Sequence, residues 1–177
     1  MRASGRSAAL GLSVALVLPL AGCGGGPAPR AWAASVCQAL GPWRTEIATL
    51  TARTQQMMTA KTTVVQAKEN LSRLFGGAAA ASEAARAGVQ RAGVPDVEGG
   101  ETVAQTFTAR LSALRDAYGR ARSGIDALAV HPADDFYQGV GGVVRVLNEE
   151  YTQSEIDTSR LNSVELKRAF DEVPECR

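Results

Sequence analysis

The stretch ETVAQTFTARLSALRDAYGRARSGIDALAV, residues 101–130, carries the longest uninterrupted amphipathic pattern in the chain. Its apolar side chains recur at steps of three and four residues, which places them on one face of an α-helix. These side chains are Val103, Phe107, Leu111, Leu114, Tyr118, Ala121, Ile125 and Leu128. His131-Pro132 follows and predicts the end of this helix. A helix with such a face needs partners that cover it, so we expect further helices on both sides in the chain.

A second amphipathic pattern occupies residues 31–60. Its stripe consists of Val36, Leu40, Trp43, Ile47, Leu50 and Met57, with polar Thr54 in the same series. Pro42 interrupts the pattern directly after Gly41. A proline inside a helix removes one backbone hydrogen bond and clashes with the preceding turn. We therefore predict a first helix that is kinked or broken near Pro42.

The predicted second helix has sequence signals at both ends. Thr63-Val64-Val65-Gln66 matches the capping-box pattern of a helix start. Gly93, two residues ahead of Pro95, is typical of a helix end. Gly76-Gly77 lies in the middle of the pattern, where it either weakens the helix or permits close approach of a neighbouring backbone.

The C-terminal third of the chain predicts one more long helix and one short one. The fourth begins at Ala133 or Asp134 and continues to about Tyr151. The pattern lapses over residues 157–160. Asn162-Ser163-Val164-Glu165 then resembles a capping box, and the apolar residues after it predict a short fifth helix that ends before Pro174.

These patterns define the fold class. No segment alternates apolar and polar residues with the β-branched composition of a strand. Long amphipathic helices joined by short loops favour antiparallel neighbours. We predict an all-α domain over residues 31–177, an up-and-down four-helix bundle with a short fifth C-terminal helix.

The N-terminal residues predict export and a lipid anchor. Arg2 and Arg6 precede an apolar run over residues 8–20 that is too short to span a bilayer. The next feature, Leu20-Ala21-Gly22-Cys23, resembles the lipobox of bacterial lipoproteins. The resemblance implies cleavage before Cys23, removal of residues 1–22 and attachment of diacylglycerol to the Cys23 thiol. The alternatives are an ordinary signal with a chance cysteine and an uncleaved anchor.

The lipobox resemblance also implies a location, the outer face of the cell membrane. Residues 23–30 would comprise the lipidated cysteine and a flexible tether, because three glycines and two prolines oppose regular structure. Seven tether residues reach about 25 Å at most, so the bundle should stay close to the membrane. Two acyl chains suffice for stable attachment.

The remaining cysteines, Cys37 and Cys176, lie near opposite ends of the domain. An even pair in an oxidising compartment predicts one disulfide, and two free thiols are the alternative. Such a bond requires the first helix and the C-terminus to lie side by side. Trp32 does not clearly belong to the stripe of the first helix, and we expect it either to cover this disulfide or to contact the membrane interface.

Composition and motifs argue against several activities. Without Arg2 and Arg6 the 19 basic residues become 17, against 18 acidic ones, and no basic patch suggests nucleic-acid binding. His131 is the single histidine and precedes a proline at a helix end, where it is expected to cap free carbonyls. The sequence contains no recognisable nucleophile motif, metal-ligand set or cofactor motif. We therefore predict no catalytic residues, no metal and no cofactor.

The mixed polar and aromatic segment over residues 148–160 is the candidate partner surface, carried by Tyr151, Glu155 and Asp157. The chain as a whole resembles the small alanine-rich helical lipoproteins of actinobacterial cell envelopes. Those lipoproteins carry no assigned activity, and our first hypothesis is a non-enzymatic module that binds an envelope protein or a wall component. The alternative is a carrier of a small apolar ligand in the bundle core, because alanine-lined bundles can leave cavities.

Overall fold

The part of the chain that the structure describes folds into five α-helices. The computed structural model describes residues 25–154, 156–158 and 161–176, and no strand occurs within them. The elements are α1 (Pro29–Met57), α2 (Val64–Ala92), α3 (Gly100–Ala127), α4 (Ala133–Gln153), α5 (Val164–Glu172) and a 3₁₀ turn (Pro174–Cys176). The all-α class and the short fifth helix are confirmed.

Capping residues place several helix ends where the sequence predicted them. The backbone N–H of Gln66 donates to Thr63 Oγ1 at 3.2 Å, and the Thr63 N–H donates to Gln66 Oε1 at 2.9 Å. This is the predicted capping box at the start of α2. Ser163 Oγ accepts from the N–H of Leu166 at 3.2 Å at the start of α5. Gly93 ends α2 with a φ of 75°, which glycine adopts without strain.

The first helix differs from its prediction in two ways. It begins at Pro29, so Pro29 and Arg30 are helical although the sequence assigned them to a tether. Proline is favoured in the first turn of a helix, where its missing N–H has no partner to lose. The helix also continues through Pro42, so of the predicted kink or break, the break does not occur. Thr45 Oγ1 donates to the Gly41 carbonyl oxygen at 3.1 Å beside the proline.

The four long helices pack in chain order, each against the next. The most extensive interface joins α2 to α3, followed by α1 with α2 and α3 with α4. Between α3 and α4 the contacts run antiparallel, because Gly139 lies against Leu128 while Glu150 reaches Arg120. The short α5 packs on α1. This arrangement confirms the up-and-down bundle.

Two apolar clusters make up the interior. The proximal core lies at the end where α1 begins, and α5 completes it. Its large buried members are Trp32, Val36, Leu40, Trp43, Val89, Phe107, Leu111, Leu114, Leu166 and Phe170. The distal core lies between α2, α3 and α4, and its buried members are Phe75, Ala78, Ala117, Tyr118, Ala121, Ile125 and Leu147. Thus α4 and α5 each cover one half of the bundle.

Three aromatic rings contact one another in the proximal core. Trp32 has no exposed surface and meets Phe107 and Phe170 edge to face, with ring centroids 5.5 Å and 5.9 Å away. The two phenylalanine rings stack on each other at 5.9 Å. Such pairs add to the free energy gained by burial alone. Trp32 is therefore a core residue, and the predicted alternative of a membrane contact for its side chain is wrong.

The predicted disulfide is confirmed. Cys37 in α1 is bonded to Cys176 in the 3₁₀ turn, 139 positions away in sequence, with Cα atoms 5.0 Å apart. This Cα separation is in the range that a disulfide spans. The bond joins the C-terminus to α1 beside the aromatic cluster.

Candidate functional site

The first described residues lie on the surface of the proximal end. Residues 25–28, here called the N-terminal strap, run across the loop formed by residues 93–99. The Asp96 N–H donates to the carbonyl oxygen of Pro27 at 2.9 Å. Gly26 passes so close that a Cβ there would overlap the Val94 carbonyl oxygen. The strap is therefore held against the α2–α3 loop by backbone contacts.

Side chains of α1 extend this attachment into the bundle. Trp32 Nε1 donates to the Gly93 carbonyl oxygen at 2.9 Å, which joins the first turn of α1 to the end of α2. Arg30 lies 3.8 Å from Glu172 on α5, although both side chains are largely exposed. Cys23, the predicted lipid-attachment residue, lies outside the described residues together with the whole predicted signal.

A groove of about 600 Å³ runs along the surface between α1 and α2. Gly88 allows the two helices to approach at its side, since a Cβ there would lie only 2.6 Å from Cβ of Ala39. Small apolar residues predominate in its lining, which is Ser35, Gln38, Ala39, Pro42, Trp43, Glu46, Ala81, Ala84, Ala85, Gly88, Arg91 and Ala92. The groove has the volume of a small-molecule site but is open to solvent.

Trp43 is the largest side chain that lines this groove. Its indole Nε1 donates to Ser82 Oγ at 3.1 Å, and that hydroxyl donates to the Ala78 carbonyl oxygen at 2.9 Å. Both side chains are buried, so these bonds satisfy polar groups that would otherwise be costly. Charged Glu46 and Arg91 also line the groove, on α1 and α2 respectively. The groove therefore combines an apolar lining with a few polar groups.

The predicted partner surface is only partly described. Tyr151 is 39% exposed at the end of α4. Asp157 is half-buried. Glu155 lies outside the described residues. Of the two described residues of this set, Tyr151 is the exposed one.

The fourth helix has an exposed aromatic side that the sequence analysis did not predict. Only Phe136 and Leu147 are buried on this helix. Tyr137 and Tyr151 are exposed and lie fourteen residues apart, which places them on one side of the helix. The spacing of apolar residues within α4 does not distinguish a helix covered on several sides from one that packs on α3 alone.

Burial perturbs the one tyrosine beneath this helix. Tyr118 is 7% exposed within the distal core. Burial, and to a lesser extent the neighbouring Tyr151, raises the pKa of Tyr118 to about 12. The neutral phenol is thus the form that the fold accommodates.

An ion-pair network joins α2 to α3. Glu83 accepts from Arg86 at 2.7 Å and from Arg115 at 2.9 Å, and Arg115 also contacts Asp116. These bonds, from Arg86 first and Arg115 second, lower the pKa of Glu83 to about 2. Every acid in the network has an arginine partner, so the arrangement stabilises the helix pair and leaves no free general base.

His131 does not cap α3 as predicted. Its side chain is exposed, and Lys68 instead donates from Nζ to the Leu128 carbonyl oxygen at 2.7 Å. Among the described residues, no group of three or more His, Cys, Asp or Glu side chains could hold a metal ion. No helix in the described part of the chain is both long enough and apolar enough to cross a membrane.

Comparisons with known proteins give no relative for this chain: no family model, no curated protein and no solved structure matches it.

Proposed function

We propose that the protein is a lipoprotein on the outer face of the cell membrane, anchored through diacylglycerol on Cys23. The order of Arg2, Arg6, the apolar run and Leu20-Ala21-Gly22-Cys23 supports export and lipidation. The Cys37–Cys176 disulfide favours an oxidising compartment, since such bonds are rare where thiols are kept reduced.

The position of Gly25 is the observation that carries this proposal. Gly25 is two residues beyond Cys23 and lies beside Asp96 on the proximal end of the bundle. Because Gly25 is on the surface, a lipid on Cys23 would not have to pass through either core. A buried start of the chain would have been incompatible with a lipid at this cysteine.

The activity that we propose for the anchored bundle is binding, without catalysis. Within the described residues the acids of the α2–α3 network are paired with arginines, and the single histidine is exposed. The exposed side of α4, which carries Tyr137 and Tyr151, is the surface that we propose for an envelope protein or a wall component. Tyrosine is enriched at protein interfaces because it offers a large apolar contact and one polar group.

Membrane attachment can be tested with the variant Cys23→Ala. Membranes carrying the wild-type protein should retain it through alkaline washing, whereas the variant should appear in the wash. The matched control is Gly141→Ala, which alters an exposed position of α4 with open space around it. Retention of Cys23→Ala on washed membranes would refute the lipid anchor.

The α1–α2 groove supports a second candidate function, transport or presentation of a small apolar ligand. The proposed site lies on the surface, not in the core where the sequence suggested it, because the facing core positions are filled by residues such as Leu111 and Leu114. Native mass spectrometry of the protein purified from its own membranes should then show a co-purifying ligand. Ala84→Phe, which fills the groove, should lose that mass, and Gln90→Phe on another exposed side of α2 should keep it.

A further inference from the structure

We infer that the N-terminal strap orients the bundle on the membrane, with the loop of residues 93–99 facing the lipid headgroups. This inference rests on the proposed lipid anchor. It adds to that proposal a defined membrane-facing surface, and it replaces the picture of a freely swinging tether.

Very little free chain separates the proposed lipid from the bundle. The sequence alone allowed seven flexible residues between Cys23 and the helical domain, with a reach of about 25 Å. In the structure, residues 25–28 are in contact with the α2–α3 loop and α1 begins at Pro29. Only Gly24 separates Cys23 from the strap, so the free reach falls to about 7 Å. The lipid is therefore held within one or two residue lengths of the loop.

The backbone contacts of the strap are a second argument. The hydrogen bond from Asp96 to Pro27 fixes the strap in one register along the loop. Gly26 lies directly against the Val94 carbonyl oxygen, a contact that no side-chain-bearing residue could make. Pro95, which lies between Val94 and Asp96 in the chain, is almost fully buried. A flexible tether would show none of these contacts.

The composition of the loop fits a lipid surface at headgroup depth. Val94 is 45% exposed near the start of the loop and is the large apolar side chain that the loop presents. Asp96 and Glu98 are exposed beside it, and Arg91 lies at the end of α2. A loop that carries these charges stays among hydrated headgroups, where one valine can contact the acyl boundary without burying a carboxylate.

The strap also sets the direction of the bundle's long axis relative to the membrane. Val94 follows α2, and Val65 is in the first turn of the same helix and is 50% exposed. Helical rise places these two residues about 43 Å apart. If the loop faces the membrane, Val65 points away from it. The two valines therefore form a matched pair of probe positions.

The test places a tryptophan at each position in the lipidated, full-length protein. Val94→Trp and Val65→Trp are reconstituted in phosphatidylcholine vesicles that contain lipid brominated on the upper acyl chain, and each emission is compared with that of the wild type. Trp32 and Trp43 are buried and supply the common background. The added indole at position 94 should lose at least half of its emission, and the one at position 65 should lose none. Equal quenching at both positions would overturn the inference.

A second variant tests the strap itself. Gly26→Ala, added to Val94→Trp, should displace the strap and abolish the quenching while the vesicles still carry the protein on flotation. Ala28→Ser is the control, because this exposed residue already has a Cβ and serine suits a helix N-cap. Undiminished quenching with Gly26→Ala would show that the strap does not orient the bundle. Protein that fails to float even without these changes would refute the anchor, and with it the orientation.

Discussion

The indole nitrogen of Trp32 donates a hydrogen bond to the Gly93 carbonyl oxygen at 2.9 Å, across 61 positions of sequence. The same side chain packs edge to face on Phe107 of α3 and Phe170 of α5. One residue of the first turn of α1 therefore contacts three other parts of the bundle. Trp32 organises the proximal end, next to the strap.

Replacing Trp32 by Phe should destabilise the protein by about 1–3 kcal/mol, because the Gly93 carbonyl loses its donor and the smaller ring leaves a void. Urea unfolding followed by circular dichroism measures this change. Trp43→Phe gives a comparison at the groove, where the indole bonds a hydroxyl that has a second partner. A loss below about 0.5 kcal/mol for Trp32→Phe would contradict the central role of this residue.

The Cys37–Cys176 bond should contribute about 3–5 kcal/mol, mostly by restricting the unfolded chain, since it closes a loop across 139 positions. Cys37→Ala with Cys176→Ala should lower the urea midpoint by a corresponding amount. Reduction of the wild type should give the same midpoint as the double variant. If reduction leaves the midpoint unchanged, the bond does not stabilise the native state.

Gly88 and Gly141 form a matched pair of helical glycines. Gly88→Ala should cost about 1–3 kcal/mol, because its Cβ would lie 2.6 Å from that of Ala39 and force α1 and α2 apart. Gly141→Ala should instead stabilise by about 0.5–1 kcal/mol, because that site has open space and alanine is the better helix former. Thermal unfolding of both variants checks the opposite signs. A neutral or stabilising Gly88→Ala would disprove the close approach of the helices.

The paired Glu83 predicts a dependence of stability on pH. Hydrogen bonds from Arg86 and Arg115 lower its pKa from 4.5 to about 2 in the folded protein. Its contribution is therefore complete above pH 4.5 and is lost as the pH falls towards 2. The effect should be modest because the carboxylate is 42% exposed, and salt should weaken it.

Glu83→Gln should accordingly flatten the fall of the melting temperature between pH 5 and pH 2. The exposed Glu69 on the same helix provides the control, Glu69→Gln. A melting-temperature profile of Glu83→Gln that parallels the wild type across this range would show that the network does not contribute to acid stability.

The fold could largely be predicted because its determinants are local. Helical spacing around Leu111 and Leu114 and the capping box at Thr63 depend on neighbouring residues, and both predictions were confirmed. The disulfide was predictable because Cys23, once assigned to lipid, leaves a single pair of cysteines. Each of these predictions needs no knowledge of how distant parts of the chain meet.

The features that sequence missed depend on contacts between distant residues. The strap could not be predicted, because glycine and proline near Pro27 oppose regular structure whether or not the backbone contacts Asp96. Burial of Trp32 depends on Phe170, which lies 138 positions away. The exposed side of α4 arises because α5 covers the other half of the bundle, and the spacing of apolar residues within α4 does not reveal this.

We propose above all that the mature chain begins at a diacylglycerol-modified Cys23. The most direct measurement is the intact mass of the protein extracted from its native membranes, with fragmentation of its N-terminal peptide. We expect a chain that starts at residue 23, lacks residues 1–22 and carries the mass of the lipid on that cysteine. A chain that retains residues 1–22, or one with an unmodified Cys23 thiol, would contradict it.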